Sequence, residues 1–217
     1  MPALMAAAAP SGLEMALDRQ DRPALQKTIG EYAAAAAKTP NDAGAQYRLA
    51  LAASYLAEVA QEQHDKTQAR QAAEQGIKAA EKAVALRPDA ENYRLLGMLC
   101  GQAVTDLLSG LSYGPRAKSA INKAVEMAPG SAAVYLARGV GNYYLPSQLG
   151  GGPQLAIADF RKALTLDARS AEAYLWLGIA LRKTNQNAEA REALAKSLEL
   201  NPNRVWARQE LDKIPAK

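Results

Sequence analysis

One stretch of this sequence has the spacing of a catalytic nucleophile: Gly110-Leu-Ser-Tyr-Gly114 fits G-x-S-x-G. That arrangement works where a strained strand-to-helix turn exposes the serine and a histidine can reach it as a base. The chain has a single histidine, His64, beside Asp65. No strand pattern leads into Gly110, and Pro115 follows, so the stretch reads as a Gly/Ser loop between two helices with Pro115 opening the second. Gly150-Gly151-Gly152 could cradle a phosphate, but it lacks the Gly-Lys-Ser/Thr of a P-loop and reads as a turn with Pro153 just inside the next helix. A lone cysteine cannot make an intrachain disulfide, and one Cys with one His cannot complete a Cys/His zinc site. Cys100 is therefore expected to be a small buried core residue. No carboxylate pair stands apart from ordinary salt-bridging helix faces such as Glu189-Arg191-Glu192. The expectation is a chain with no catalytic residue, no metal site and no cofactor.

The elements that carry these residues follow from composition. Of 217 residues 48 are alanine, about 22 %, and only 6 % are aromatic, with one Phe and two Trp. Alanine is the strongest intrinsic helix former, and strands favour the β-branched and aromatic types that are scarce here. An all-α fold is expected. The net charge is +4, with 26 basic and 22 acidic residues interleaved rather than blocked. That pattern suits solvated helix faces and argues against a nucleic-acid partner. No apolar run reaches the 18 or so residues needed to span a bilayer, so membrane association is expected to be peripheral at most. Residues 1–8 are apolar and small, and are expected to be disordered or the remnant of an export segment.

Internal repetition is the strongest signal. From Ala171 to Arg204 the chain carries Tyr174, Leu177, Gly178, Leu181, Ala190, Leu194, Ser197 and Pro202, at positions 4, 7, 8, 11, 20, 24, 27 and 32 of a 34-residue unit. Small residues let the two helices of a hairpin close together, larger ones fill the gaps, and Pro ends the second helix. This unit resembles the tetratricopeptide repeat (TPR). The register extends backwards through Gly139, Ala156 and Phe160, then Gly97, Ala117 and Ile121, then Ala50, Gly76 and Ala80, and more faintly through Ala16. The resemblance implies an all-α solenoid of about five helical hairpins, near residues 9–42, 43–89, 90–131, 132–170 and 171–204, with a capping helix over 205–217, all in one domain. Aligning positions 8 and 20 requires insertions of 14, 8, 5 and 0 residues in the last four repeats. The largest, roughly Leu56 to Ala72, is helix-friendly, and shared between two helices it adds about 10 Å to each. Unequal helices predict a tightly curled array. The graded insertions also look like those of bacterial envelope TPR components that accompany solute and lipid transport, which implies a periplasmic or cell-envelope location, with the cytoplasm as alternative.

In TPR arrays the first helix of each repeat lines a concave face. The resemblance places Leu13, Leu17, Tyr47, Leu51, Ser54, Tyr55, Arg94, Met98, Gly101, Gln102, Leu136, Val140, Tyr143, Tyr144, Leu175, Ile179, Arg182 and Lys183 on it. From these, Tyr47, Leu51, Tyr55, Met98, Leu136, Val140, Tyr143, Tyr144, Leu175 and Ile179 form an expected apolar binding set. Gly97, Gly101, Gly139, Gly141 and Gly178 are expected to leave room beside it. Such a face needs covering. An apolar or lipid-like ligand, such as a sterol, would make the protein a non-catalytic envelope binding protein, with a transporter or periplasmic binding protein as partner. A partner helix or peptide would make it an interaction scaffold. The long helices of the second repeat could also cover the face themselves.

Overall fold

A computed structural model describes residues 11–215. The expectations for residues 1–8 therefore fall outside the described residues. Among those described there are eleven α-helices and one 3-10 turn: α1 (Gly12–Asp18), α2 (Arg22–Lys38), α3 (Ala43–Glu62), α4 (Lys66–Leu86), α5 (Ala90–Gln102), α6 (Leu107–Met127), α7 (Ala132–Tyr144), α8 (Pro153–Leu166), α9 (Ala171–Lys183), α10 (Asn187–Leu200) and α11 (Val205–Asp212), with the 3-10 turn at Ser147–Leu149 between α7 and α8. Five antiparallel hairpins, α1–α2 to α9–α10, stack side by side, and α11 caps the last. The fold is all-α and TPR-like. No described helix is long and apolar enough to cross a membrane.

Local sequence explains where the helices begin and turn. Ser11, Asp21, Asp42, Asp65, Asp89, Asp106 and Ser170 each accept a hydrogen bond from a backbone N–H of the first turn that follows, which satisfies donors that a helix leaves open. Three hairpins share one reversal. Gln20, His64 and Asn185 adopt positive φ, and the next residue's N–H returns to Ala16, Ala60 and Leu181 respectively. This is the helix-ending turn that closes on a left-handed residue. His64 thus has a backbone role, exposed between α3 and α4.

The G-x-S-x-G stretch is not the expected loop. It lies inside α6, and Pro115 sits within the helix rather than at its start. Asp106 and Ser109 form a reciprocal capping box upstream of Gly110, and that cap nucleates the helix. Pro115 has no N–H to give Leu111, whose side chain is exposed. The inserted residues therefore lengthen α6 to 21 residues, where α8 and α10 have 14. In the second repeat the surplus is shared, giving α3 20 residues where α5, α7 and α9 have 13. The triglycine does turn the chain, with Gly150 and Gly152 at φ 83° and 113° and Pro153 opening α8.

Small residues let paired helices touch. A Cβ added to Gly139 would lie 2.5 Å from the Phe160 ring, and one added to Gly178 would lie 2.5 Å from Leu194. Gly97 meets Ile121 in the same way. These three glycines close the hairpins and leave no room beside the concave face, contrary to the expectation. Gly101 and Gly141 do face open space. Cys100 is fully buried, and burial pushes its thiol up to about 11, so it is inert core.

Candidate functional site

The first helices of the hairpins line one face, as their register requires, and the ends of that face meet. Arg204, the residue before α11, is 2 % exposed. Its guanidinium donates to Glu58 at 2.8 Å and Glu62 at 2.5 Å in α3, to the Leu17 carbonyl at 3.4 Å in α1, and to Glu172 at 3.5 Å in α9. Asn201 donates to Asp18 at 2.9 Å, and Gln20 hydrogen-bonds both Glu62 and Gln209. The last repeat is thereby tied to the first two, and the concave face becomes the inside of a closed curl.

Buried charge gathers at this joint. Arg204 is the cation among Asp18, Glu58, Glu62 and Glu172. Burial disfavours its charge, but those glutamates overcome this and hold it firmly protonated. Burial first, and Glu172 second, push the Glu58 carboxyl well above the usual carboxylate range despite Arg204. Burial also raises Glu62, against the pull of Arg204. One buried oxygen of Glu172, Oε1, receives no hydrogen bond.

An aromatic cluster adjoins the charges. Tyr143 and Tyr144 end α7, edge-on to each other at 5.1 Å, and their rings stand 5.8 and 6.0 Å from Trp176 of α9. Trp176 stacks on Phe160 and meets Trp206 edge-on at 5.0 Å. Trp206 in turn has the Arg204 guanidinium 5.5 Å from its centroid. Tyr144 is 58 % exposed. Its hydroxyl is nevertheless raised, first by desolvation and then by the charges of Tyr143, Glu58, Glu62 and Glu210. On the first helices of the second and third hairpins, Tyr47 donates to Glu91 at 2.6 Å, and Arg94 closes on the same carboxylate at 2.8 Å. Burial and the Glu91 contact push the Tyr47 hydroxyl up to about 12.

The ten expected binding residues divide into three groups. Leu175 and Ile179 are buried in the core around Trp176 and cannot meet a ligand. Tyr47, Leu51 and Tyr55 are half-buried against the α1–α5 core, as are Leu136, Val140 and Tyr143 against the α7–α11 core. Met98 is half-buried beside the Arg94 guanidinium, and Tyr144 alone stands exposed. The face is therefore not the apolar one expected. Glu58, Glu62, Glu91, Glu172 and Arg204 were missed as its members. Glu58 and Glu62 lie in the long insertion, outside a strict 34-residue register. They do continue the i, i+3, i+4 stripe of Tyr47, Leu51 and Tyr55, and that spacing marks the same helix face.

The aromatic side of this face coincides with the most regular repeat sequence. Residues 151–216 match the Tetratricopeptide repeat family. No curated protein sequence matches the chain. Among solved structures, TTC0263, a thermophilic TPR protein in Thermus thermophilus, is 20 % identical with a TM-score of 0.63, over 94 % of this chain and 96 % of that one. The HusA haemophore from Porphyromonas gingivalis is 21 % identical with a TM-score of 0.56, over 82 % of this chain and 97 % of its own. The architecture is that of a TPR-like solenoid. At these identities the likenesses establish the fold, and the expected kinship with envelope transport components finds no support in them.

Proposed function

We propose that the protein is a non-catalytic interaction module that docks a segment of a partner protein in its TPR-like concave face. Tyr144 carries this reading. It is an exposed aromatic ring held between two other rings on a concave surface, and rigid, partly solvated aromatics are the usual anchors of protein interfaces. Solenoids of this type present extended concave surfaces to partners. The half-buried Leu136 and Val140 and the Tyr47–Glu91–Arg94 network supply the mixed apolar and polar lining that such interfaces have. An apolar or lipid-like ligand fits less well, because charged side chains occupy the centre of the face and two of its expected aliphatic residues are core. Affinity capture with the wild type, compared by mass spectrometry with Tyr144→Ala and Leu136→Asp, tests the proposal. Partners retained by the wild type and lost by both variants are expected. An unchanged partner set would refute it, and co-purifying lipid lost in both variants would favour the ligand reading.

A further inference from the structure

Among the described large apolar side chains, the three most exposed are neighbours on one helix: Leu107, Leu108 and Leu111 of α6, at 80, 78 and 69 %. We propose that this face of α6 pairs with the same face of a second copy of the chain, the two helices running antiparallel about a two-fold axis beside Leu111. The face lies on the second helix of its hairpin, whereas the first helices line the concave face. Pairing of two copies and docking of a partner segment are therefore independent events.

The face is bare because its neighbours are short. The helix α6 has 21 residues, whereas its hairpin partner α5 has 13 and the next second helix, α8, has 14. The surplus amounts to about 10 Å of helix without a neighbour on those sides. On its other side α6 is held by α4: Tyr113 donates to Glu74 at 3.2 Å, Asp106 bridges Arg70 at 3.8 Å, and Arg116 pairs with Glu81. At the helical period, Leu107, Leu108, Leu111, Gly114 and Lys118 lie on the side turned away from those contacts. Single exposed leucines are ordinary, but three within five residues form a patch that something covers.

Shape, charge and area all select a second copy. The stripe carries large side chains in its first turn and none at Gly114, where an added Cβ would meet nothing within 4 Å. A two-fold axis beside Leu111 lays the Leu107 and Leu108 of each copy over Pro115 and Gly114 of the other. Each projection then has a gap opposite it, as a self-complementary interface requires. This gives the spacing of Gly110 and Gly114 a role, since glycines weaken a helix interior but let another backbone come close. The stripe is also acidic at one end, at Asp106, and basic at the other, at Arg116 and Lys118, all three exposed. The antiparallel arrangement brings unlike ends together, whereas a parallel one sets Asp106 beside Asp106. A permanent dimer takes about 800 Å² from each copy. Two helical turns offer less than that, which makes the pairing reversible and dependent on concentration.

Sedimentation velocity over about 1 to 200 μM tests the pairing, since that range brackets weak association. The wild type is expected to shift from monomer to dimer as concentration rises. Leu108→Asp and Leu111→Asp should each weaken the dimer at least about tenfold. Both should leave the circular dichroism melt in place, because the two side chains are exposed in the single chain. Gly114→Ala should not lower the melting temperature, since its methyl meets open space, yet it should weaken the dimer about fivefold by holding the helices apart. A wild type that stays monomeric throughout would overturn the proposal, and so would a dimer indifferent to the two leucine variants. A monomeric wild type that sediments with phosphatidylglycerol vesicles, and loses them on Leu108→Asp, would overturn it in favour of a lipid surface. Partner capture by the concave face is read separately, through Tyr144→Ala and Leu136→Asp, so either reading can fail without the other.

Discussion

The core of α1–α5 and the core of α7–α11 are built from different materials. Among the described residues, ten of the twenty in the first buried cluster are alanine, and that cluster holds no tryptophan or phenylalanine. The second has five alanines in fifteen, and it contains Phe160, Trp176 and Trp206. Alanine buries little area, so helices built on it must be long and closely spaced to bury enough. The helices α3 and α4 have 20 and 21 residues, against the 13 or 14 of α7 to α10. The same hairpin is thus stabilised either by length with small side chains or by a few large ones. The functional face takes its carboxylates mainly from the long helix α3 and its aromatic rings from the short helices α7 and α9, and Arg204 joins the two.

The comparison yields a ranked set of expectations. Trp176→Ala removes the ring on which Phe160, Tyr143, Tyr144 and Trp206 converge, and should lower unfolding stability by about 3–5 kcal/mol in urea titrations. Arg204→Met leaves buried carboxylates without their cation and should lower stability by about 3–5 kcal/mol. It should also open the curl, visible as a larger radius of gyration in solution scattering. Gly139→Ala drives a methyl into the Phe160 ring and should cost about 1–3 kcal/mol. Ala53→Gly in the alanine-built half removes one methyl and frees the helix backbone, at about 1 kcal/mol. A smaller loss from Trp176→Ala than from Ala53→Gly would reverse the proposed division of labour.

The joint between the halves has a pH signature. Glu58 is raised in the folded state, so the fold binds its proton more tightly than the unfolded chain does. That contribution is complete below the ordinary value of 4.5 and is lost as pH rises through the raised folded value. Glu58→Gln should therefore flatten the alkaline decline in urea midpoint, and an unaltered pH profile would contradict the assignment.

Much of this was legible in residue types. The hairpins follow from the small residues at Gly97, Gly139 and Gly178, and the turn at Gly150–Gly152 from its composition. The sequence register also located the concave positions on the first helices. It could not show which of them the core would absorb, because Leu175 and Ile179 share a helix with Trp176 and are buried in the same cluster as its aromatic neighbours. Nor could it show the closing of the curl, since Arg204 meets Glu58 and Glu62 across more than 140 residues. The Gly110–Gly114 stretch misled for a local reason. Its glycines and proline signal a break, but the Asp106–Ser109 cap already fixes the helix upstream.

The central claim is that Arg204 holds the last repeat against the first two. A double-mutant cycle between Arg204→Met and Glu62→Gln, read by urea unfolding, measures that contact directly. The structure predicts a coupling energy above about 1 kcal/mol, within the range for residues in one buried network. Additivity within about 0.5 kcal/mol would contradict it and describe an open array instead.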